Sequence, residues 1–590
     1  MRFCSYPLMS VNSNSPSPHQ ANASLASENK IKSGAPQAFS LFAESGYFYY
    51  LCLGLLVLVV SGIRWRLVEM PLERDEGEYA YFGHLILNGI TPYTEAYSMK
   101  LPGIYYMYAL FMAVFGETYK GIHIGLLVMN ASTMILLYAA IKCFFNPMTG
   151  LLTAGMYGLM ALTHNVLGFA AHATHFVVFY VSLSLYSFSR YELNKKLSAA
   201  AFTGATLGMA FLMKQQAVYF ILFGGLLFLI FQFIDAGRNF KSQPTIKHIV
   251  VTMLTFSMAV FIPYLLVVLI MLASGAFDKF WFWTVLYAGK YASGVPWEQG
   301  KDLLSMNFTP IWEEFKWIWI LGIGGIPAVL FTKFSLKQKI FASGFLLFAF
   351  FATTPGFYFR QHYFIVLLPA AALSAGIALD YAGRLLVKWS DIKVIGMALP
   401  LGILFLLFNS TLSNAKVYYS TDNPQSLCKA IYGINPFTES IDIAKYIKAN
   451  SSENDRMAVL GSEPQIPFYA GRKSATGHIY TYGLMEIHEY NLMMQEEMMA
   501  EIEKTKPLFL VFCNISLSWL PRPNSPMKIF EWYSKYSRQN YTIVGLVDIQ
   551  TQGPSSFHWD ADAQRNPKNQ AWVWVLRRKE AVGSRQKIAE

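Results

Sequence analysis

The stretch YFYYLCLGLLVLVVSGI, residues 47–63, runs directly into RWRLVEMPLERDEGEYAYFGHLILNG, residues 64–89. The first part carries no charge and approaches the roughly 20 residues needed to cross a hydrocarbon core. The second sets four charges in five positions, from Arg74 to Glu78. Apolar Tyr79, Phe82, Leu85 and Ile86 follow at helical spacing, opposite charged positions. A membrane anchor that hands over to such a pattern predicts a helix lying on the membrane surface, with acids held at the lipid boundary.

The rest of the chain agrees. Hydrophobic residues make up 54% and charged residues 14% of the 590. A soluble protein needs roughly 25% charged residues, so much of this surface faces lipid. The net charge of +11 does not point to nucleic acid, because Lys and Arg sit in short runs between apolar segments, as in cytoplasmic loops. Five cysteines (Cys4, Cys52, Cys143, Cys428, Cys513) form no CxxC and no metal-ligand spacing. Cys428 and Cys513 share the C-terminal region and either pair or stay as free buried thiols.

Residues 1–45 are rich in Ser, Asn, Pro and Ala and read as a disordered tail. A membrane domain is expected over 46–412, with residues 64–102 as its first outer loop. After the first span, apolar segments recur near 104–116, 121–143, 149–163, 168–188, 199–213, 216–234, 248–273, 317–332, 340–353, 362–380 and 394–410, giving 12 in all. The basic runs Arg190–Lys196, Arg238–Lys247, Lys333–Lys339 and Arg384–Lys393 fall inside the cell. With the 64–102 loop outside, the two assignments disagree by one crossing. A segment between 104 and 188 is then split or merged, and the total is odd, 11 or 13. From 413 to 590 the composition turns soluble, and alternating strands and helices predict a small α/β domain outside the membrane. It contains neither GxGxxG nor a P-loop lysine motif.

Several polar residues interrupt apolar sequence. Lys100 stands in YSMKLPG (97–103), Lys214 in FLMKQQAVYF (211–220), His172 and His175 in FAAHATHFVVFY (169–180), and Arg360, His362 and Tyr363 in FRQHYFIVLLPAAAL (359–373). An ionisable group at membrane depth is costly and points to function. A carboxylate beside cations suits proton abstraction from an acceptor, with the cations neutralising a phosphate leaving group. Lys214 could also simply snorkel to the interface. His172 and His175 are three apart and could share a metal, but with no third ligand in view hydrogen bonding or phosphate contact is the expectation, and no metal or cofactor.

Taken in order, DExxYA (from Asp75), KxP (from Lys100), FLxK (to Lys214) and HYxxxLLP (from His362) resemble the polytopic GT-C glycosyltransferases. The particular relatives are bacterial homologues of protein O-mannosyltransferases and of the aminoarabinose transferase that modifies lipid A. The resemblance covers about Tyr47 to Leu379. It extends more weakly to VLGSEPQIPFYAGRKSA (459–475). It implies an α-helical polytopic membrane protein of GT-C type with 11–13 spans and a C-terminal α/β extracytoplasmic domain. It also implies a polyprenyl-phosphate sugar donor, a lipid, glycan or protein acceptor, inverting displacement, and a site facing the periplasm or exterior of a bacterial inner membrane. Asp75 falls on the family's catalytic base. Glu76 is carried over as a supporting acid and Lys100 as part of the KxP element, and Lys214, Arg360, His362 and Tyr363 match polar positions lining the cavity where the lipid phosphate sits; Tyr79, His172 and His175, read from the residues themselves, complete the expected substrate-binding set. Lys100-Leu101-Pro102 departs from the KPP of many relatives, and His175 stands near where many carry an acid. A transporter or flippase of a lipid-linked or anionic substrate is the competing reading of the same buried cations.

Overall fold

The structure is a computed structural model that describes residues 46–237, 243–421, 423–551 and 553–579. The tail expected over 1–45 lies outside the described residues. Each of the twelve apolar segments holds a helix. Six helices are long and apolar enough to cross a membrane, or seven if the bent pair Trp297–Glu314 and Lys316–Phe331 counts as one span.

The segment 104–116 is not a span, which corrects the sequence reading. Its helix, Gly103–Phe115, has 13 residues, about 20 Å at 1.5 Å per residue against a core of roughly 30 Å. It begins where Gly103 backs onto Leu212 and Met213. It ends beside Glu117, whose carboxylate pairs with His84 of the preceding helix. Tyr119 then meets Tyr469 of the C-terminal domain edge-on, centroids 6.0 Å apart. Both ends of the helix therefore sit on one side of the membrane domain. At the far end, Lys195 and Lys337 each bridge Glu192 and Asp235 at 2.6–2.8 Å, so the loops near 190, 235 and 337 collect there. The stretch between the spans ending at Ala273 and beginning at Lys316 is itself helical, from Phe277 to Ala292 and from Trp297 to Glu314.

The C-terminal domain is a mixed sheet in the order β1-β2-β5-β3-β4, with β1 Met457–Leu460, β2 Phe509–Asn514, β3 Tyr541–Asp548, β4 Ser556–Trp559 and β5 Trp572–Arg578. β1 and β2 run parallel and the other neighbours antiparallel. Four of these strands fall on the runs whose sequence reads as strand, 456–460, 507–512, 541–547 and 571–576. The short edge strand β4 does not, because SFHW has too few apolar residues to read as one. Cys428 and Cys513 are both free and buried.

The helix expected on the membrane surface, Arg74–Leu87, is instead enclosed. Glu73 starts it with a capping box, its side chain accepting from the Glu76 N–H while Glu76 accepts from the Glu73 N–H. One side packs on Gly103–Phe115, and the other on the helix Gln465–Ala470 of the C-terminal domain. Tyr81 and Phe82 are fully buried, and Glu76 and Glu78 are 1% exposed. Its charges face protein rather than water or lipid headgroups, because the soluble domain folds down over them.

Gly77 makes that contact possible. A Cβ there would lie 2.7 Å from the Gln465 nitrogen and 2.8 Å from its Cβ. Gly77→Ala is expected to destabilise the protein by about 1–3 kcal/mol, the usual cost of overpacking, read as a lower melting temperature in detergent. A melting curve identical to wild type would mean the two layers part without penalty.

Candidate active site

Asp75 lies in the first turn of the helix Arg74–Leu87, at the floor of a cavity of about 870 Å³ between the membrane domain and the C-terminal domain. Its Oδ1 accepts hydrogen bonds from Lys100 Nζ at 2.9 Å and from the Tyr480 hydroxyl at 3.2 Å. Glu78, three residues on and on the same helix face, accepts from the same Lys100 ammonium at 2.7 Å. Ser98 and Tyr105 also donate to Glu78. Burial disfavours an ionised Asp75, but the Lys100 ammonium, aided by His362 and His172, outweighs it and holds this carboxyl well below the usual carboxylate range. Glu73 on the same wall behaves oppositely: burial and the neighbouring charges of Asp75 and Glu76 push it well above its ordinary value. The site thus sets side by side two acids whose surroundings push them in opposite directions.

Lys100 is a member of this acid cluster and is neutralised by it. Two other cations are not. Lys214 occupies the break between the helices Leu197–Met213 and Val218–Ala236, with its ammonium 3.8 Å from the centre of the Tyr363 ring. Arg360 is half-buried against the Tyr358 ring, 5.6 Å from its centroid. Among the described residues no carboxylate forms an ion pair with either. Both line the cavity, as do Tyr79, His172, His362 and Tyr363. Leu167, Met213, Val218 and Met306 add apolar lining to the same cavity.

Glu76 and His175 do not line the cavity. Glu76 turns to the other side of its helix, accepting from the Ala171 N–H and meeting His123 Nε2 at 2.9 Å. His175 lies within the helix Ala173–Asn194 while His172 precedes it as the cap, so the two do not share a helix face as their spacing suggested. The third ligand missing from the sequence comes instead from His362. Asp75, His172 and His362 bring one ligand atom each within 4.8 Å of one another. The donor chemistry suits a divalent ion. The geometry does not, since the two imidazoles stack at 4.2 Å and 11°. Lone pairs of stacked rings run side by side, whereas ligands around an ion must converge at about 2.0–2.2 Å. Neither ring nitrogen of His172 has a hydrogen-bond partner within the protein.

Sequence reasoning missed the cavity wall supplied by the C-terminal domain: Tyr480, Tyr482 and Glu486. The aromatic run HIYTY (478–482), odd for a soluble surface, was the available signal. Arg74, part of the charge cluster that drew attention, faces this domain. It binds Glu463 at 2.8 Å, the Ser462 carbonyl at 2.6 Å and the Tyr482 hydroxyl at 2.8 Å.

Residues 99–287 match the family model described as dolichyl-phosphate-mannose-protein mannosyltransferase. No curated protein matches the chain. Solved structures do. ArnT from Cupriavidus metallidurans, bound to undecaprenyl phosphate, is similar at 14% identity over 90% of this chain and 98% of that one, with a TM-score of 0.53. The oligosaccharyltransferase AglB from Archaeoglobus fulgidus, in complex with an inhibitory peptide and a dolichol-phosphate, is similar at 13% identity, 89% and 75% coverage, and a TM-score of 0.53. The same archaeal enzyme in complex with zinc and sulfate gives 13% identity, 88% and 74% coverage, and 0.51.

Proposed function

We propose that this chain, which has the GT-C fold of those enzymes, transfers a sugar from a polyprenyl-phosphate donor to a lipid, glycan or protein acceptor at the outer face of the membrane. The observation that carries the reading is the cavity itself. It holds the Asp75 carboxylate, kept ionised beside Lys100, and two cations, Lys214 and Arg360, that have no acidic partner among the described residues, and its lining includes apolar residues that suit a polyprenyl chain. Solved relatives bind dolichol-phosphate or undecaprenyl phosphate. Phosphate at Lys214 and Arg360 leaves as a neutralised group. The acceptor proton passes to Asp75 as the acceptor oxygen or nitrogen bonds the anomeric carbon, and the bond to the phosphate oxygen breaks with inversion. His172, whose Nδ1 lies 3.7 Å from Glu73 and 3.8 Å from Asp75 without a hydrogen bond, adds a hydrogen-bond donor on the same side. Buried cations alone would equally serve a transporter; the ionised acid held beside them favours transfer.

The test is purified protein in liposomes with a panel of polyprenyl-phosphate hexoses and pentoses and a membrane and envelope extract as acceptor, read by mass spectrometry. Free polyprenyl phosphate should appear with a matching gain of one sugar on an acceptor. Movement of donor across the bilayer without covalent change means transport.

Three further results are expected. Because Asp75 is ionised well below the ordinary range, turnover should hold steady as the pH falls to roughly 4, an unperturbed carboxylate value. It should fall only below that, as Asp75 takes up its proton; a loss centred near pH 6 would point to another base. Chelation with EDTA should leave turnover unchanged, and activity lost and restored by a divalent ion would mean that His172 and His362 turn to bind it. Finally, Asn88→Cys and Glu453→Cys, both exposed, should both react with an impermeant thiol reagent in spheroplasts, and Lys196→Cys should not. The reverse pattern places the site in the cytoplasm.

A further inference from the structure

Glu486 is the one cavity carboxylate outside the cluster around Asp75, and the scheme above gives it no role. It caps the short helix Tyr482–Met485 of the C-terminal domain. Its Oε2 accepts a hydrogen bond from the Tyr287 hydroxyl at 2.9 Å. Tyr287 belongs to the helical stretch between the spans, so both walls of the cavity fix this group. Among the described residues the other carboxylate oxygen accepts no hydrogen bond. Among the described residues no cation forms an ion pair with Glu486. Around it stand flat phenol rings: Tyr482 and Tyr291 line the same cavity, and Tyr291 stacks on Tyr358 at 4.4 Å.

A carboxylate on a cavity wall, aimed by one phenol and left with an open oxygen, is an acceptor waiting for donors. Sugar hydroxyls are such donors, and aromatic faces suit the C–H face of a pyranose ring. Position selects which sugar. The donor sugar is bonded to the phosphate, Arg360 is one of the two cations available to that phosphate, and Arg360 lies over Tyr358, which stacks on Tyr291 one turn along from the Tyr287 that holds Glu486. The acceptor must instead reach Asp75, whose neighbours are Lys100 and Tyr480. Resting on the function proposed above, we infer that Glu486, aimed by Tyr287, recognises ring hydroxyls of the donor sugar and sets which sugar the protein accepts.

Glu486→Gln keeps the shape and weakens acceptance of hydroxyl hydrogens. A charge-assisted hydrogen bond lost in ground and transition state alike should raise the donor KM roughly tenfold or more with little change in kcat. Tyr287→Phe, which frees the carboxylate without removing it, should raise the KM less. The decisive comparison uses donors deoxygenated at single ring positions. Wild type and Glu486→Gln should use one of these deoxy donors with the same KM, because the contact is already missing. An unchanged KM in Glu486→Gln, or an equal rise across every deoxy donor, overturns the inference while leaving sugar transfer by wild type intact. A fall in kcat alone, tracking a lower melting temperature, assigns Glu486 a purely structural part and also overturns it. If wild type transfers no sugar from any polyprenyl-phosphate donor, the proposed function fails first and this inference falls with it.

Discussion

Asp75→Asn should give a folded protein whose turnover is lower by roughly 10²–10⁴-fold, the usual contribution of a general base. Asn keeps the size of the side chain and can still accept the Tyr480 and Lys100 hydrogen bonds, and Lys100 retains Glu78 as its counter-ion at 2.7 Å. Donor binding should persist, because Lys214 and Arg360 approach the phosphate from other elements. The measurement is single-turnover transfer alongside donor binding, so that a lost proton acceptor is separated from a lost substrate. Near-normal turnover would remove Asp75 from the chemistry. Glu73 would be the next acid to test, since it lines the same cavity.

The second large effect concerns the cations. Lys214→Met and Arg360→Met should each weaken donor use by about 10–100-fold, since a hydrogen bond between charged partners contributes roughly 1.5–3 kcal/mol. The double variant should lose less than the product of the two if both hold one phosphate. Lys100→Met should behave differently. It leaves Asp75 and Glu78 facing each other without their shared ammonium, so the Asp75 carboxyl should rise toward or above its ordinary value, and the acid limb of the pH profile should move upward. A Lys100→Met enzyme with an unchanged acid limb, or fully additive effects of Lys214 and Arg360, would contradict this division of labour.

The membrane architecture was legible because a span needs a long uncharged run, and such runs survive in any sequence context. The error at 104–116 came from the same rule. A short apolar helix that packs against Tyr79, Phe82 and the helix Ala173–Asn194 is as hydrophobic as one that faces lipid. Lys214, Arg360, His362 and Tyr363 stood out because ionisable and polar groups are rare beside apolar runs. Their meeting with Asp75 is a matter of tertiary packing, which no local pattern records. Lys100 drew attention for its charge, yet that charge is neutralised by a helix 22 residues away in sequence. Glu486 was illegible for the opposite reason: in a soluble-looking segment one more glutamate carries no signal until a cavity gives it a place.

The embrace of the helix Arg74–Leu87 by the C-terminal domain bears on how the protein is made. Arg74 finds Glu463 389 residues later, and Asp75 finds Tyr480 405 residues later. At synthesis rates of about 5–20 residues per second, the acids emerge roughly 20–80 seconds before the partners that enclose them. During that interval every remaining span must be threaded, and the charged helix has to wait in water rather than in the bilayer. A nascent or truncated chain therefore has no closed pocket, so donor lipid is safe from wasteful breakdown until the last soluble segment has folded back onto the first loop.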